Sequence, residues 1–217
     1  MKNSKICGRF APTPSGRIHL GNIFCSLLAW LHAKSQGGEI VLRIEDLDKV
    51  RCPRPNADLL AKDLEWLGLT WDKGAYVSED SERYFQSQRF DIYAEHFRKL
   101  EEQGLIYPCF CSRGQLHAAE APHLSDGRIL YAGTCKNLTA SEREERAKLR
   151  QPAYRLAVND EPISFIDGNY GKQSYNLMEE SGDFIVRRSD GVYAYQLAVT
   201  VDDGLMNVTH VVRGADL

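Results

Sequence analysis

No part of this sequence is both long and apolar enough to cross a bilayer. The longest run without a formal charge, Ile18 to Ala33, is interrupted by His19, Gly21, Asn22 and Ser26. An apolar leader segment is also missing, since Arg9 follows Lys5 with no hydrophobic run between them, so the chain is expected to be cytoplasmic. Positive charge is not in excess. Lys and Arg number 27 against 30 Asp and Glu, a net of −3, and the whole deficit falls in residues 111–217. A protein that coats DNA or RNA along a basic stripe is thereby excluded, and any nucleic-acid partner must be held by a local patch. Internal repeats and low-complexity linkers are absent. With 43% hydrophobic and 26% charged residues among 217, the composition fits a globular chain with one main core and a small satellite.

Cysteine is sparse, with six at positions 7, 25, 52, 109, 111 and 135, and a reducing cytoplasm makes disulfides unexpected. The close pair Cys109 and Cys111 points instead to a metal, with Cys135 as a third thiolate. Tetrahedral structural sites use Cys or His, which nominates His117 or His123 as the fourth ligand on chemistry alone. Residues 105–137 read as a small irregular insertion whose core is too small to hold without such an ion. Cys7, Cys25 and Cys52 read as bystanders.

The first 45 residues alternate in pattern. Residues 5–11 form a short apolar strand, Pro12 to Gly16 a rigid loop, and Ile23, Phe24, Leu27, Leu28 and Leu31 recur at helical spacing behind Asn22 as N-cap. Gly37-Gly38 stops the helix and a strand over 39–45 follows, which predicts a βαβ unit with parallel strands and ligands beyond the strand ends. Helices are predicted over Asn56 to Leu67, with Leu59, Leu60, Leu64 and Leu67 on one side, and over Ser81 to Gln103. Another is predicted over Thr139 to Arg150, with capping-box spacing at Thr139/Glu142 and Ser141/Glu144. Strand-like runs follow at 153–158, 163–167, 184–188, 192–199 and 207–213.

The segment from Arg9 to Asn22 passes from a strand end through the loop into a helix start. An anion binds at such a place. Gly21 lets a phosphate approach the backbone, free amides and the helix dipole attract it, and His19 can donate to a phosphoryl oxygen. The bland alternative is that a His before a Gly is structural.

Arg9-Phe10-Ala11-Pro12-Thr13-Pro14-Ser15-Gly16 followed by His19-Leu20-Gly21-Asn22 resembles the first signature of class I aminoacyl-tRNA synthetases of the glutamyl type. Arg43-Ile44-Glu45-Asp46-Leu47-Asp48 resembles the family's acidic motif, and Val211-Val212-Arg213-Gly214-Ala215-Asp216-Leu217 its later arginine motif. The resemblance implies an α/β fold: a Rossmann-like class I synthetase core with a parallel sheet and a small zinc-binding insertion. Residues 1–104 would be the first half of the nucleotide-binding core, 105–137 the zinc insertion, and 138–217 the rest of the insertion and the second half of the core. Two departures stand out. The signature's second His is Asn22 here, and the family's Lys-Met-Ser-Lys-Ser-like ATP loop occurs nowhere in these residues. Either that loop lies outside them or this chain cannot complete catalysis alone.

For function, the resemblance implies ATP-dependent activation of L-glutamate to glutamyl-adenylate, with Mg²⁺ accompanying ATP. His19, Gly21 and Asn22 would be the catalytic signature, and Pro12, Gly16, His19, Gly21 and Asn22 would line ATP. Arg9, Phe10, Ala11, Pro12, Thr13, Glu45, Tyr195 and Arg213 would form the glutamate pocket, with Arg213 and Tyr195 near the side-chain carboxylate and Glu45 near the ammonium. The competing structural reading pairs Glu45 and Asp46 with Arg43 or Arg51 at the surface and places Tyr195 in the core. For the single zinc, the family nominates Tyr131 beside Cys109, Cys111 and Cys135, with His123 in reserve. The cysteine pattern and the Arg-Gly-Ala-Asp-Leu ending are nearest to a short branch without an anticodon-binding domain. In that branch the acceptor is the cyclopentene diol of queuosine at the wobble position of tRNA(Asp), and the enzyme is expected to be a monomer. The alternatives are part of an ordinary synthetase charging tRNA(Glu), and a non-catalytic zinc-bearing RNA-binding module.

Overall fold

The computed structural model describes residues 5–116 and 130–214, which divide into two compact units. One takes in the chain up to Ala94 and from Ala198 onward; the other is Glu95–Leu197. His117 and His123 lie outside the described residues, as do Ala215 to Leu217 of the arginine motif.

The first unit begins with strand β1 (Cys7–Phe10), helix α1 (Leu20–Lys34) and strand β2 (Glu39–Leu42), followed by helix α2 (Arg54–Trp66) and the short strand β3 (Lys73–Gly74). All three strands are parallel in the order β1-β2-β3, with Cys7 opposite Glu39 and Phe10 opposite Leu42, which is the predicted βαβ arrangement. Phe10, Ile40, Leu42, Ile44, Leu64 and Phe85 form the centre of its core.

Helix α1 corrects the sequence reading twice. Ile23 N–H donates to the His19 carbonyl at 3.1 Å, so His19 is the N-cap and Asn22 is already helical. The buried face is Ser26, Ala29 and Ala33, while Leu20, Phe24, Leu27, Leu28 and Leu31 are exposed. Close approach explains the choice: a Cβ on Gly8 would lie 3.0 Å from Ile40 Cδ1 and 3.5 Å from Ala33 Cβ, so only small side chains fit between helix and strand. Helix α2 starts at Arg54 behind Pro53, earlier than expected, and buries Ala57, Leu60, Ala61 and Leu64 while Leu59 and Leu67 stay exposed.

The predicted helix over 81–103 is broken. Two 3-10 turns, Ser81–Tyr84 and Gln86–Gln88, precede helix α3 (Phe90–Glu102). Ile44 N–H donates to Tyr84 O at 2.9 Å and Gln86 N–H to Ile44 O at 3.0 Å, drawing Phe85 into a strand-like bridge. Asp46 then accepts the Ser87 amide at 2.9 Å and hydroxyl at 2.7 Å. Tertiary pairing overrides local propensity here.

In the second unit, β4 (Ile106–Cys109), β5 (Ala153–Leu156) and a strand at Phe184–Arg187 form an antiparallel sheet, so the start of the supposedly irregular insertion is regular strand. Between β4 and β5 lie a helical turn, α4 (Arg113–Leu116), and α5 (Ala140–Leu149), capped by the Thr139/Glu142 box; Ser141 falls inside α5, so the second box does not form. The β6 (Pro162–Asp167) and β7 (Gly171–Asn176) hairpin and the turn α6 (Leu177–Glu180) precede the sheet's last strand, β8.

Two predicted strands fail. Residues from Tyr195 are helix α7 (Tyr195–Leu205), whose buried Leu197, Ala198, Val201 and Asp202 follow helical spacing that the β-branched Val199, Thr200 and Val201 obscure. The 207–213 run is not a strand because Thr209 and His210 amides both converge on Cys7 O, at 2.9 and 3.1 Å, and Thr209 Oγ1 accepts the Cys7 amide at 2.9 Å. A shared carbonyl and a side chain replace the ladder. No described helix is long and apolar enough to cross a membrane.

Gly74 is the tightest backbone approach in the sheet: its φ is +111°, and a Cβ would sit 2.1 Å from Leu42 O. Gly74→Ala should therefore cost more than about 3 kcal/mol, combining backbone strain with overlap. Urea denaturation showing a loss below about 1 kcal/mol would contradict this packing.

Candidate active site and metal centre

The loop after β1 and the segment after β2 run side by side. Arg43 N–H donates to Phe10 O at 2.8 Å and Glu45 N–H to Pro12 O at 3.1 Å, which sets residues 9–13 against residues 43–45. Phe10, Pro12 and Pro14 are buried, Ala11 is half-buried, and Thr13 and Gly16 are exposed. The loop's shape is thus fixed from beneath while its outer residues face solvent.

At the start of α1, His19 and Gly21 are exposed and Asn22 is half-buried. His19 makes no side-chain capping bond, so the first-turn amides of α1 have no acceptor within the helix. A Cβ on Gly21 would lie 3.2 Å from both Nδ1 and Cε1 of His19, so the missing side chain lets the imidazole lie across the helix start. Amides and imidazole together present donors to an anion.

A charge cluster joins the end of β1, the segment after β2 and α7. Arg43 has no exposed side-chain surface, and its Nη2 donates to Glu45 Oε1 at 3.0 Å and its Nη1 to Asp203 Oδ1 at 2.6 Å. Arg9 Nε meets both oxygens of Asp203, at 3.1 and 3.2 Å. Asp202, fully buried, accepts from Gln86 Nε2 at 2.9 Å, Arg89 Nε at 2.8 Å and Tyr93 Oη at 2.8 Å. Burial pushes the Glu45 carboxyl above its usual range, against the opposing pull of Arg43 and Arg9. Glu45 does pair with Arg43, but in the interior rather than at the surface, and Asp46 pairs with Ser87 rather than an arginine.

The structure therefore groups Arg9 with Glu45. Arg213 is exposed and has no ion pair among the described residues, and Tyr195 opens α7 in the other unit. Sequence reasoning missed Arg43 as a buried hub and Asp202 and Asp203 altogether. The available signal was a charge inside an apolar strand run and an acidic pair inside an apolar helix.

The second unit brings three thiols together. The Sγ atoms of Cys109, Cys111 and Cys135 lie within 4.8 Å of one another, with Cys111 and Cys135 at 3.6 Å. Tyr131 Oη is 3.4 Å from Cys109 Sγ and 3.9 Å from Cys111 Sγ. A tetrahedral ion at Zn–S about 2.3 Å and Zn–O about 2.0 Å gives sulfur–sulfur edges of roughly 3.8 Å and sulfur–oxygen edges of roughly 3.5 Å. The donor set fits. Around it, Phe110 N–H donates to Cys135 Sγ at 3.4 Å, Cys135 N–H to Tyr131 Oη at 2.9 Å, and Arg155 Nε to Cys109 Sγ at 3.3 Å. Arg155 also stacks 3.7 Å over the Tyr131 ring. Burial, then the charge of Cys109, pushes the Cys111 thiol up to about 12.

Comparison with known proteins adds to this geometry. Residues 5–217 match the catalytic domain of the class I tRNA synthetases (E and Q). The Glutamyl-Q tRNA(Asp) synthetase of Symbiobacterium thermophilum is 50% identical over 215 residues, 98% of this chain and 66% of that protein. A glutamate–tRNA ligase of Alkalilimnicola ehrlichii is 42% identical over 219 residues, covering all of this chain and 46% of that protein. Among solved structures, a glutamate tRNA ligase from Elizabethkingia meningosepticum, in complex with its amino acid, superposes with a TM-score of 0.79 at 28% identity, over 98% of this chain and 44% of that one. The chain thus spans about two thirds of the length of its nearer curated relatives and under half of the longer ones.

Asp202 is the test of the cluster as a folding element. Asp202→Ala removes the acceptor shared by Arg89, Tyr93 and Gln86 and should cost about 3 to 5 kcal/mol in urea denaturation, with Asp202→Asn milder. A loss below about 1 kcal/mol would mean that the buried network is dispensable.

Proposed function

Because the chain belongs to the class I tRNA synthetases of the E and Q type, through their catalytic domain, we propose that it serves the glutamylation of queuosine in tRNA(Asp). The relatives named Glutamyl-Q tRNA(Asp) synthetase, at 50% and 48% identity, support this branch. The observation that carries the chemistry is Arg9 and Glu45, a largely buried cation and a buried carboxylate linked through Asp203 and Arg43, together with the free first turn of α1.

The reaction has two steps. An oxygen of the glutamate α-carboxylate attacks the α-phosphorus of ATP, pyrophosphate leaves, and glutamyl-adenylate forms. A hydroxyl of the queuosine diol then attacks the activated carbonyl and AMP departs. Arg9 and Arg213 offer guanidinium forks suited to carboxylates, and Glu45 offers a carboxylate to the ammonium. The amides of α1 and His19 offer donors to phosphoryl oxygens, so the protein's part is positioning and charge stabilisation. Mg²⁺ accompanying ATP would screen its phosphates. Zinc on Cys109, Cys111, Cys135 and Tyr131 is a structural ion in this reading, holding the loop that returns to β4 and taking no part in either step.

With the full-length enzyme, glutamate-dependent ATP–pyrophosphate exchange is expected without added tRNA; exchange only in its presence would favour the ordinary synthetase, and no exchange at all the non-catalytic module. Arg213→Ala should weaken glutamate by about 1.5 to 3 kcal/mol, the scale of a hydrogen bond to a charged group, and leave ATP affinity intact. Equal loss of both ligands would make Arg213 structural. With labelled glutamate, tRNA(Asp) carrying queuosine should be modified, while the same tRNA with guanosine, or with its diol cleaved by periodate, should not. Glutamylation of tRNA(Glu) at its 3′ end would overturn the acceptor and leave glutamate activation standing.

Metal analysis should find about one zinc per chain, lost in Cys109→Ser with destabilisation confined to the second unit. A folded, active, zinc-free protein would remove the ion from this reading. Unchanged zinc affinity in Tyr131→Phe would move the fourth ligand to His123 or His117.

A further inference from the structure

Two adjacent aspartates on α7 do separate work. Asp202 is saturated by Gln86, Arg89 and Tyr93, all contributed by the fold. Among the described residues the Asp203 side chain pairs only with two arginines: both of its oxygens rest on Arg9 Nε, and Oδ1 also takes Arg43 Nη1 at 2.6 Å. Arg43 in turn holds Glu45 through its other nitrogen at 3.0 Å. The result is a row of alternating charge, Arg9, Asp203, Arg43, Glu45, in which one carboxylate fixes both ends.

The way Arg9 is held matters more than that it is held. A guanidinium binds a carboxylate bidentately through a pair of parallel N–H groups. Asp203 occupies only Nε, and the two Nη atoms have no hydrogen-bond partner among the described residues although the side chain is only 9% exposed. Neither Nη is among the buried polar atoms that lack a partner, so the free edge remains open to solvent and to a ligand. Asp203 thus fixes the fork's rotation about its own axis while leaving the bidentate edge free.

We propose that Asp203 is a positioning residue for amino-acid binding, aiming the free edge of Arg9 at a substrate carboxylate and, through Arg43, steadying Glu45 for the ammonium. This rests on the glutamate reading above, and names a determinant that touches no substrate itself. Asparagine at this position can leave its oxygen on Arg43, but its amide NH₂ then faces the Arg9 Nε–H that Oδ2 accepts, and the negative charge between the two arginines is lost.

The test combines calorimetric titration of L-glutamate and of ATP with NMR of the arginine Nε–Hε groups, the Arg9 signal being assigned through Arg9→Lys. In the unliganded wild type the Arg9 Hε should exchange slowly with water, and Asp203→Asn should abolish that protection. The same variant should bind glutamate roughly 10- to 100-fold more weakly, the effect of one misaimed charge-assisted contact, with ATP affinity changed less than about 2-fold. Asp203→Glu, which keeps the charge, should recover part of the loss. Lost protection with unchanged glutamate affinity overturns the positioning role and leaves the glutamate reading intact. Equal weakening of both ligands makes Asp203 structural and overturns it too. A wild type with slow Hε exchange that ignores glutamate overturns the substrate reading, and the positioning role falls with it.

Discussion

Arg43 is a guanidinium with no exposed surface, and a charge survives such burial only where carboxylates surround it. Three do so. Glu45 follows it by two residues, and Asp202 and Asp203 come from the far end of the chain, 3.8 Å and 2.6 Å from its nitrogens. Arg9 and Arg89 complete the set, so three cations face three anions within the first unit, with Arg9 and Asp203 at its partly exposed edge. Every one of them would be expensive alone. Satisfying them together fastens the end of β1, the segment after β2, the turn before α3 and the latter part of α7 to one point, which is why residues some 160 positions apart share a site.

The second unit solves a related problem with a different sign. Cys109, Cys111, Cys135 and Tyr131 offer only groups that become negative, packed within hydrogen-bonding distance of one another. Burial raises the Cys109 thiol, but bonds from Tyr131, the Cys111 amide and Arg155 outweigh it and bring it down. Three thiolates leave surplus negative charge even around a divalent ion, and Arg155 at 3.3 Å from Cys109 and Arg146 at 4.0 Å from Cys135 are placed to offset it. Arg155 is itself tied down by the Asp183 carbonyl at 2.6 Å, so the outer layer is as ordered as the donors.

What was legible in the sequence was whatever depends on neighbours along the chain. The β1, α1, β2 order follows from local periodicity, as does the Thr139/Glu142 cap. Long-range pairing was not legible. Phe85 leaves a helical pattern because Ile44 supplies a better backbone partner, and Thr209 uses its hydroxyl where a strand would use a carbonyl. The exposed leucines of α1 are a related failure: amphipathic spacing identified the helix but not the face, which Gly8 and Ala33 settle by steric fit. At the site, the motif residues Arg9 and Glu45 were visible, whereas Arg43 and Asp203, which hold them, required the tertiary structure.

The charge count also bears on how a site of this kind would choose its amino acid. The cluster is balanced without a ligand, three against three, whereas glutamate carries two carboxylates and one ammonium. Placed between the Nη edge of Arg9 and the carboxylate of Glu45, it would match one carboxylate and the ammonium and leave a single negative charge over. Arg213, exposed and without an ion pair among the described residues, is the further cation that the proposed pocket provides. Glutamine has the same length but brings no surplus charge, so it would leave that guanidinium without its counter-ion. In the proposed function, selection between the two is therefore a matter of electrostatic balance before it is one of shape, and the buried row that keeps Arg9 and Glu45 neutral as a set is what makes the last charge decisive.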